Sequence, residues 1–220
     1  MLVLNLKTYA ESTGLNCKRI LDISTEYLLQ NPNLKSKVIF AVASSELFWA
    51  KQNYPDLIIA AQHVDNKLAG KTSGWIPAET LVSYGIEYSI YNHSEHREYS
   101  NSTIIQDIQD IQSKGLKLFV CCENTQEGLN LAQANPFALV YEPKDLIGSG
   151  VSVTTRPEVA AEFIESVKDK TNVLIGAGVT TTDDIQKALE LGAKGVLLSS
   201  AFALAKDTKA KLDELVQPFA

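Results

Sequence analysis

Short apolar runs recur along the whole chain, and their spacing limits the folds available to it. They fall at Leu2–Leu6, Val38–Val42, Leu57–Ala61, Ile86–Tyr91, Leu116–Cys121, Phe137–Tyr141, Val173–Ile175 and Val196–Leu198. Each is of strand length, and most are continuously apolar rather than alternating. Continuous apolar strands are buried on both faces, as in a parallel sheet covered by crossover helices. Helical periodicity fills segments between them, for example Cys17–Leu29, Ile104–Gln112, Pro157–Val167 and Asp183–Leu191. In the last, Asp183, Ile185, Ala188 and Leu189 have amphipathic spacing. Thr181 or Thr182 stands where a cap is needed, and Gly192 where the helix must stop. Eight such runs in 220 residues point to an α/β chain folded as a compact single-domain (β/α)8 barrel. A doubly wound open sheet is the alternative. No linker, charge block or low-complexity segment divides residues 1–220, so one domain is expected.

The net charge of −6 argues against a general nucleic-acid binder, which needs a basic face. An anionic small molecule is still compatible, because one lysine and backbone amides hold a phosphate locally. No run approaches the roughly 18 apolar residues of a membrane helix. The opening MLVLNLKTY lacks the charged start of a signal peptide. Cys17, Cys121 and Cys122 make a poor disulfide framework. A cytoplasmic protein is expected.

In such a barrel, chemistry sits at the C-terminal ends of the strands. Asn5 and Lys7 follow the first run, Gln62-His63-Val64-Asp65 the third, Asn92-His93-Ser94-Glu95 the fourth and Glu142 the sixth. Gly176-Ala177-Gly178 and Ser199-Ser200 follow the last two, where barrels commonly bind phosphate. Glu142 ends a buried run, with Pro143 behind it and a segment from Lys144 to Gly150 that reads as a hinged lid. A carboxylate takes a proton from a carbon beside a carbonyl, while an imidazole and a cation stabilise the resulting enediolate oxygen. Glu142, His93 and Lys7 supply that set. Ser94-Glu95-His96 reads as the start of a short helix whose dipole would keep His93 neutral.

Other features have plainer readings. Gly176-x-Gly178 lacks the third glycine of a dinucleotide site, so no nucleotide cofactor is expected. His93 and His96, with Glu95 between them, have HxxH spacing but show no third metal ligand at sensible spacing beyond it, so no metal is expected. Cys121 and Cys122 read as packed thiols, and Trp49 and Trp75 as packing residues.

With these residues in place, the chain resembles the triosephosphate isomerases, in their short archaeal-type branch. The resemblance rests on N-L-K at Asn5–Lys7, N-H-S-E-H-R at Asn92–Arg97, Y-E-P at Tyr141–Pro143, I-G-S-G at Ile147–Gly150, G-A-G-V at Gly176–Val179 and L-L-S-S at Leu197–Ser200. It implies a TIM barrel with shortened helices and loops. It also implies interconversion of D-glyceraldehyde 3-phosphate and dihydroxyacetone phosphate through an enediolate, in glycolysis and gluconeogenesis, without a cofactor. Carried over, the roles are Glu142 as base, His93 as electrophile, Lys7 as the cation, Asn5 as positioner and Glu95 as support. Substrate and phosphate contacts fall to Asn5, Leu6, Lys7, Ile147, Gly148, Ser149, Gly178, Ser199 and Ser200. The family implies a homodimer or homotetramer, with the loop near Asp65–Trp75 reaching toward a neighbour.

The sequence departs from the longer forms in Asn92, where they have glycine, in Ser149, where threonine is usual, and in a lid without tryptophan. Competing readings are a barrel acting on a larger sugar phosphate, which would use an aspartate pair or a metal, and a phosphate-binding scaffold without catalysis. The joint presence of Asn5, Lys7, His93 and Glu142 favours neither.

Overall fold

The computed structural model describes residues 1–71, 73–98, 103–143 and 157–220. Its strands are β1 (Leu2–Asn5), β2 (Val38–Val42), β3 (Ile58–Ala61), β4 (Tyr88–Tyr91), β5 (Lys117–Cys122), β6 (Ala138–Tyr141), β7 (Asn172–Ile175) and β8 (Gly195–Leu198). Every neighbouring pair is parallel, and β8 pairs with β1 through Leu2↔Val196, Val3↔Leu197 and Leu4↔Leu198. That last pairing closes the barrel and excludes the open sheet. The helices are α1 (Leu15–Gln30), α2 (Leu47–Asn53), α3 (Ala78–Ser83), α4 (Ile104–Ser113), α5 (Thr125–Leu131), α6 (Pro157–Val167), α7 (Thr182–Glu190), α8 (Ser200–Ala203) and α9 (Thr208–Val216). Among the described residues, no helix is long and apolar enough to cross a membrane.

The apolar runs are continuous because each strand feeds two cores. Val3, Ile39, Ala41, Ala60, Ile90, Phe119, Cys121, Val140, Leu174 and Leu197 fill the barrel interior. Leu2, Leu4, Val38, Phe40 and Val42 pack outward with helix residues such as Ile20, Ile108 and Leu212. The two sets alternate along each strand, as a period of two requires. Beyond the barrel wall, Tyr141 stacks on Phe163 of α6 with ring centroids 4.1 Å apart. Gly128 of α5 is needed there, since a Cβ on it would lie 2.5 Å from the Phe163 ring.

Local signals hold where tertiary contacts support them. Thr181 caps α7 by accepting the Asp184 N–H, while the Asp184 carboxylate accepts the Thr181 N–H at 3.1 Å. This reciprocal pair satisfies donors that a helix start leaves open. Gly192, with φ of 101°, follows the helix end. Cys17, Cys121 and Cys122 are free and buried. Trp49 packs edge-on to Tyr54 with centroids 5.6 Å apart. Trp75 differs from expectation: it is 51 % exposed, with the Lys67 ammonium 4.9 Å above its ring.

Candidate active site

The barrel's interior parity explains which side chains meet at the mouth. Two residues past inward-facing Val3, Ala60, Val140, Leu174 and Leu197 stand Asn5, Gln62, Glu142, Gly176 and Ser199. Each continues its strand's inward row, so residues far apart in sequence converge on one opening.

Lys7 occupies that opening in a strained backbone state, φ 50°. Its N–H donates to Asn5 Oδ1 at 3.0 Å, and its carbonyl accepts from Gln62 Nε2 at 3.0 Å. Gln62 also donates to the Ala41 carbonyl, tying the kink to β2. A non-glycine residue in the left-handed region costs about 1–2 kcal/mol, and these bonds hold it there. The Lys7 ammonium lies 2.7 Å from Glu95 Oε1. Glu95 therefore partners the lysine, in line with a supporting place.

His93 is 8 % exposed and sits after β4 in a turn, not at a helix start. The His96 N–H donates to the His93 carbonyl at 2.8 Å, and α4 begins only at Ile104. The expected helix dipole is therefore missing. A local bond takes its place: the Glu95 N–H donates to His93 Nδ1 at 3.2 Å. With Nδ1 accepting, Nε2 is the ring nitrogen left to donate, and it faces the mouth. Nε2 lies 3.8 Å from Glu142 Oε1.

Glu142 directly follows β6 and is 4 % exposed. Its N–H donates to the Cys122 carbonyl at 2.9 Å, while its Oε2 has no hydrogen-bond partner among the described residues. A buried carboxylate oxygen without a partner is costly unless a ligand or a proton meets it. Burial, then the nearby Glu142 carboxylate, pushes the Cys121 thiol well up, so that cysteine is a packed thiol and not a nucleophile.

A cavity of about 240 Å³ joins Lys7, His93 and Glu142 to Gly176–Thr180 and Leu197–Ser200. Ser199 Oγ, buried at its edge, has no partner among the described residues, and Gly178 turns there with φ 69°. Asn5 and Glu95 lie in the adjoining cavity of about 340 Å³, which shares Lys7 and His93 with the first. A larger cavity of about 550 Å³ between α1 and α2 gathers none of these groups.

Three features were not drawn from the sequence. Gly176 leaves room for the base: a Cβ there would lie 2.6 Å from Glu142 Cγ and 2.8 Å from its Oε1. Asn92 takes φ 58°, a conformation asparagine tolerates where other residues strain. It braces the His93 turn by donating to the Cys121 carbonyl at 2.7 Å and to Glu127 Oε1 at 3.1 Å, and by accepting from the Glu98 N–H. Arg97 meets the same buried Glu127 at 2.8 Å. Leu6 is corrected the other way. Its side chain lies in the outer core, its N–H donates to the Ala41 carbonyl, and its own carbonyl accepts from Ser12 Oγ. Ile147, Gly148, Ser149 and the rest of the expected lid, Lys144 to Gly150, lie outside the described residues.

A sequence profile described as Triosephosphate isomerase matches residues 1–216. The chain belongs to the triosephosphate isomerase family. Relatives named triosephosphate isomerase include that of Thermoplasma volcanium, 34 % identical with 98 % of each chain covered. That of Cenarchaeum symbiosum is 34 % identical, covering 99 % of this chain and 96 % of the relative. That of Methanothermus fervidus is 35 % identical over 98 % and 97 %. Members of the triosephosphate isomerase family are isomerases, and triose phosphate interconversion is the activity of this chain's family.

Proposed function

We propose that Glu142, His93 and Lys7 carry out the isomerisation of D-glyceraldehyde 3-phosphate and dihydroxyacetone phosphate at this mouth. One observation carries the assignment: His93 Nε2, the ring nitrogen that the Glu95 N–H leaves open, faces Glu142 Oε1 at 3.8 Å across a small cavity that Lys7 also lines. Glu142 removes a proton from the carbon beside the substrate carbonyl. His93 Nε2–H donates to the oxygen that becomes enediolate, and the Lys7 ammonium offsets its charge. Asn5 holds the lysine in place, and Glu95 orients both the ammonium and the His93 ring. These roles are the family's, matched to this chain's residues. Gly178, Ser199 and Ser200 hold the phosphate, supported by the Ser199 hydroxyl, which has no partner among the described residues. Ile147, Gly148 and Ser149 complete that cradle by resemblance alone.

The same reading takes residues 1–220 as one catalytic domain that works in the cytoplasm and needs no cofactor. It also takes the protein as a homodimer or homotetramer. Leu15 at 85 %, Leu68 at 75 % and Trp75 at 51 % exposure supply apolar surface for a second copy, and light scattering of Leu68→Asp against wild type tests this.

Isomerisation by wild type beside Glu142→Asp tests the catalytic assignment. The shorter side chain withdraws the carboxylate by about 1 Å, which costs on the order of a hundredfold in kcat where positioning matters. A wild type that binds 2-phosphoglycolate but does not turn over would leave only a phosphate-binding scaffold.

A further inference from the structure

We propose that His63, His96 and Glu98 form a binding site for a divalent transition-metal ion of the zinc class, beside the catalytic groups at the barrel mouth. One donor atom from each of the three lies within 4.8 Å of the other two. His63 follows β3, whereas His96 and Glu98 follow β4, so the set exists only once these loops meet. Two imidazoles and one carboxylate suit zinc, copper or nickel better than magnesium or calcium, which prefer all-oxygen shells.

The surroundings of His63 are those of a ligand held in place. The ring is 8 % exposed, with Tyr91 stacked at 6.0 Å and His96 at 3.7 Å. His63 Nε2 lies 3.2 Å from Asp65 Oδ1, and Asp65 Oδ2 accepts the Ile76 N–H at 2.6 Å. A carboxylate on one imidazole nitrogen, itself anchored to backbone, fixes the tautomer and leaves the other nitrogen a free lone pair. His63 and His96 line the cavity of about 340 Å³ that also holds Lys7, His93 and Glu95, and Glu98 opens onto a second of about 260 Å³, where the charged groups among the described residues are Asp65, Glu98, Asp107 and Lys67. Three carboxylates against one ammonium favour a positive guest.

His96 supplies the moving part. Its ring is nearly parallel to that of His63, at 13°, and its Nε2 lies 3.7 Å from Glu98 Oε1. A metal lies in the plane of each ligating ring, and two stacked planes share no such point. Loading therefore turns the His96 ring out of the stack, which its 59 % exposed side chain permits. Three protein ligands leave a coordination position to water. His93 is excluded from the set: the Glu95 N–H occupies its Nδ1, and its Nε2 faces Glu142.

Tag-free, chelator-stripped protein is titrated with Co²⁺, read by its visible ligand-field bands, and then with Zn²⁺ in competition. The expected result is one equivalent bound, displaced by Zn²⁺, with a melting temperature that rises with Zn²⁺. His96→Asn and Glu98→Gln each remove a ligand and weaken Co²⁺ binding by more than the ~10–100-fold that losing an outer partner costs. Circular dichroism checks that both fold, and both changes lie at solvent-reached side chains. His93→Asn retains the bands. Absence of saturable bands in wild type overturns the proposal. So does binding that survives both ligand variants, or binding lost with His93→Asn, which would move the ion to the catalytic groups.

Discussion

Replacing Gly176 with alanine should disable the base without removing any functional group. Gly176 is not among the glycines with positive φ, so the alanine backbone is unstrained and the effect is one of space. The new methyl would lie 2.6 Å from Glu142 Cγ, 2.7 Å from Val140 Cγ1 and 2.8 Å from Glu142 Oε1. Carbon atoms in contact prefer about 3.5–4.0 Å, so the side chain of Glu142 must move by about 1 Å. Val140 is fully buried in the barrel interior and cannot yield instead. A displacement of about 1 Å costs on the order of a hundredfold in rate, or about 2.7 kcal/mol of barrier at about 1.36 kcal/mol per decade. Overpacking also lowers stability by about 1–3 kcal/mol. Steady-state isomerisation of glyceraldehyde 3-phosphate, with thermal melts of the same preparations, separates the two effects. We expect kcat to fall about a hundredfold. The double variant with Glu142→Asp should lose less than the product of the single losses, because both act by misplacing one carboxylate. A folded Gly176→Ala enzyme with kcat within a few-fold of wild type would refute the reasoning.

Other outcomes follow from the same geometry. Lys7→Gly removes the ammonium and the cost of φ 50° together: activity should fall at least about a hundredfold, while the melting temperature is no lower than that of wild type. Phe163→Ala empties the space between Tyr141 and Gly128 and should destabilise by about 3–5 kcal/mol in urea unfolding. Burial first, and then His96, hold His63 below its ordinary value of 6.5. The unfolded chain therefore takes up that proton before the folded one does. The stabilisation is whole above about 6.5 and is lost as pH falls toward the folded value. Melts of metal-free protein should show this decline below pH 6.5, and His63→Gln should flatten it.

The barrel was legible because most of its strands are continuous apolar runs. Burial on two faces leaves that mark in any order of reading, and the closing pair β1–β8 was the part that pattern could not supply. Thr181 and Gly192 were readable because capping depends on neighbours in sequence. Asn5, Lys7, His93 and Glu142 were found as strand-end residues, and the structure brings them to one opening. The helix expected after His93 was an error of local reading. The chain there serves the Asn92–Glu127–Arg97 contacts, and a turn satisfies them where a helix would not.

What the sequence determined alone is therefore whatever rests on period and nearest neighbours: strand count, helix caps, and the strand ends that carry polar groups. What the tertiary structure decided is whatever depends on distance across the barrel. The bond that engages His93 Nδ1 comes from a turn, the room for Glu142 from a glycine just past the next strand, and the His63–His96 pair from two different loops. Such contacts join residues with no fixed separation along the chain, so only closure of the sheet sets their distances.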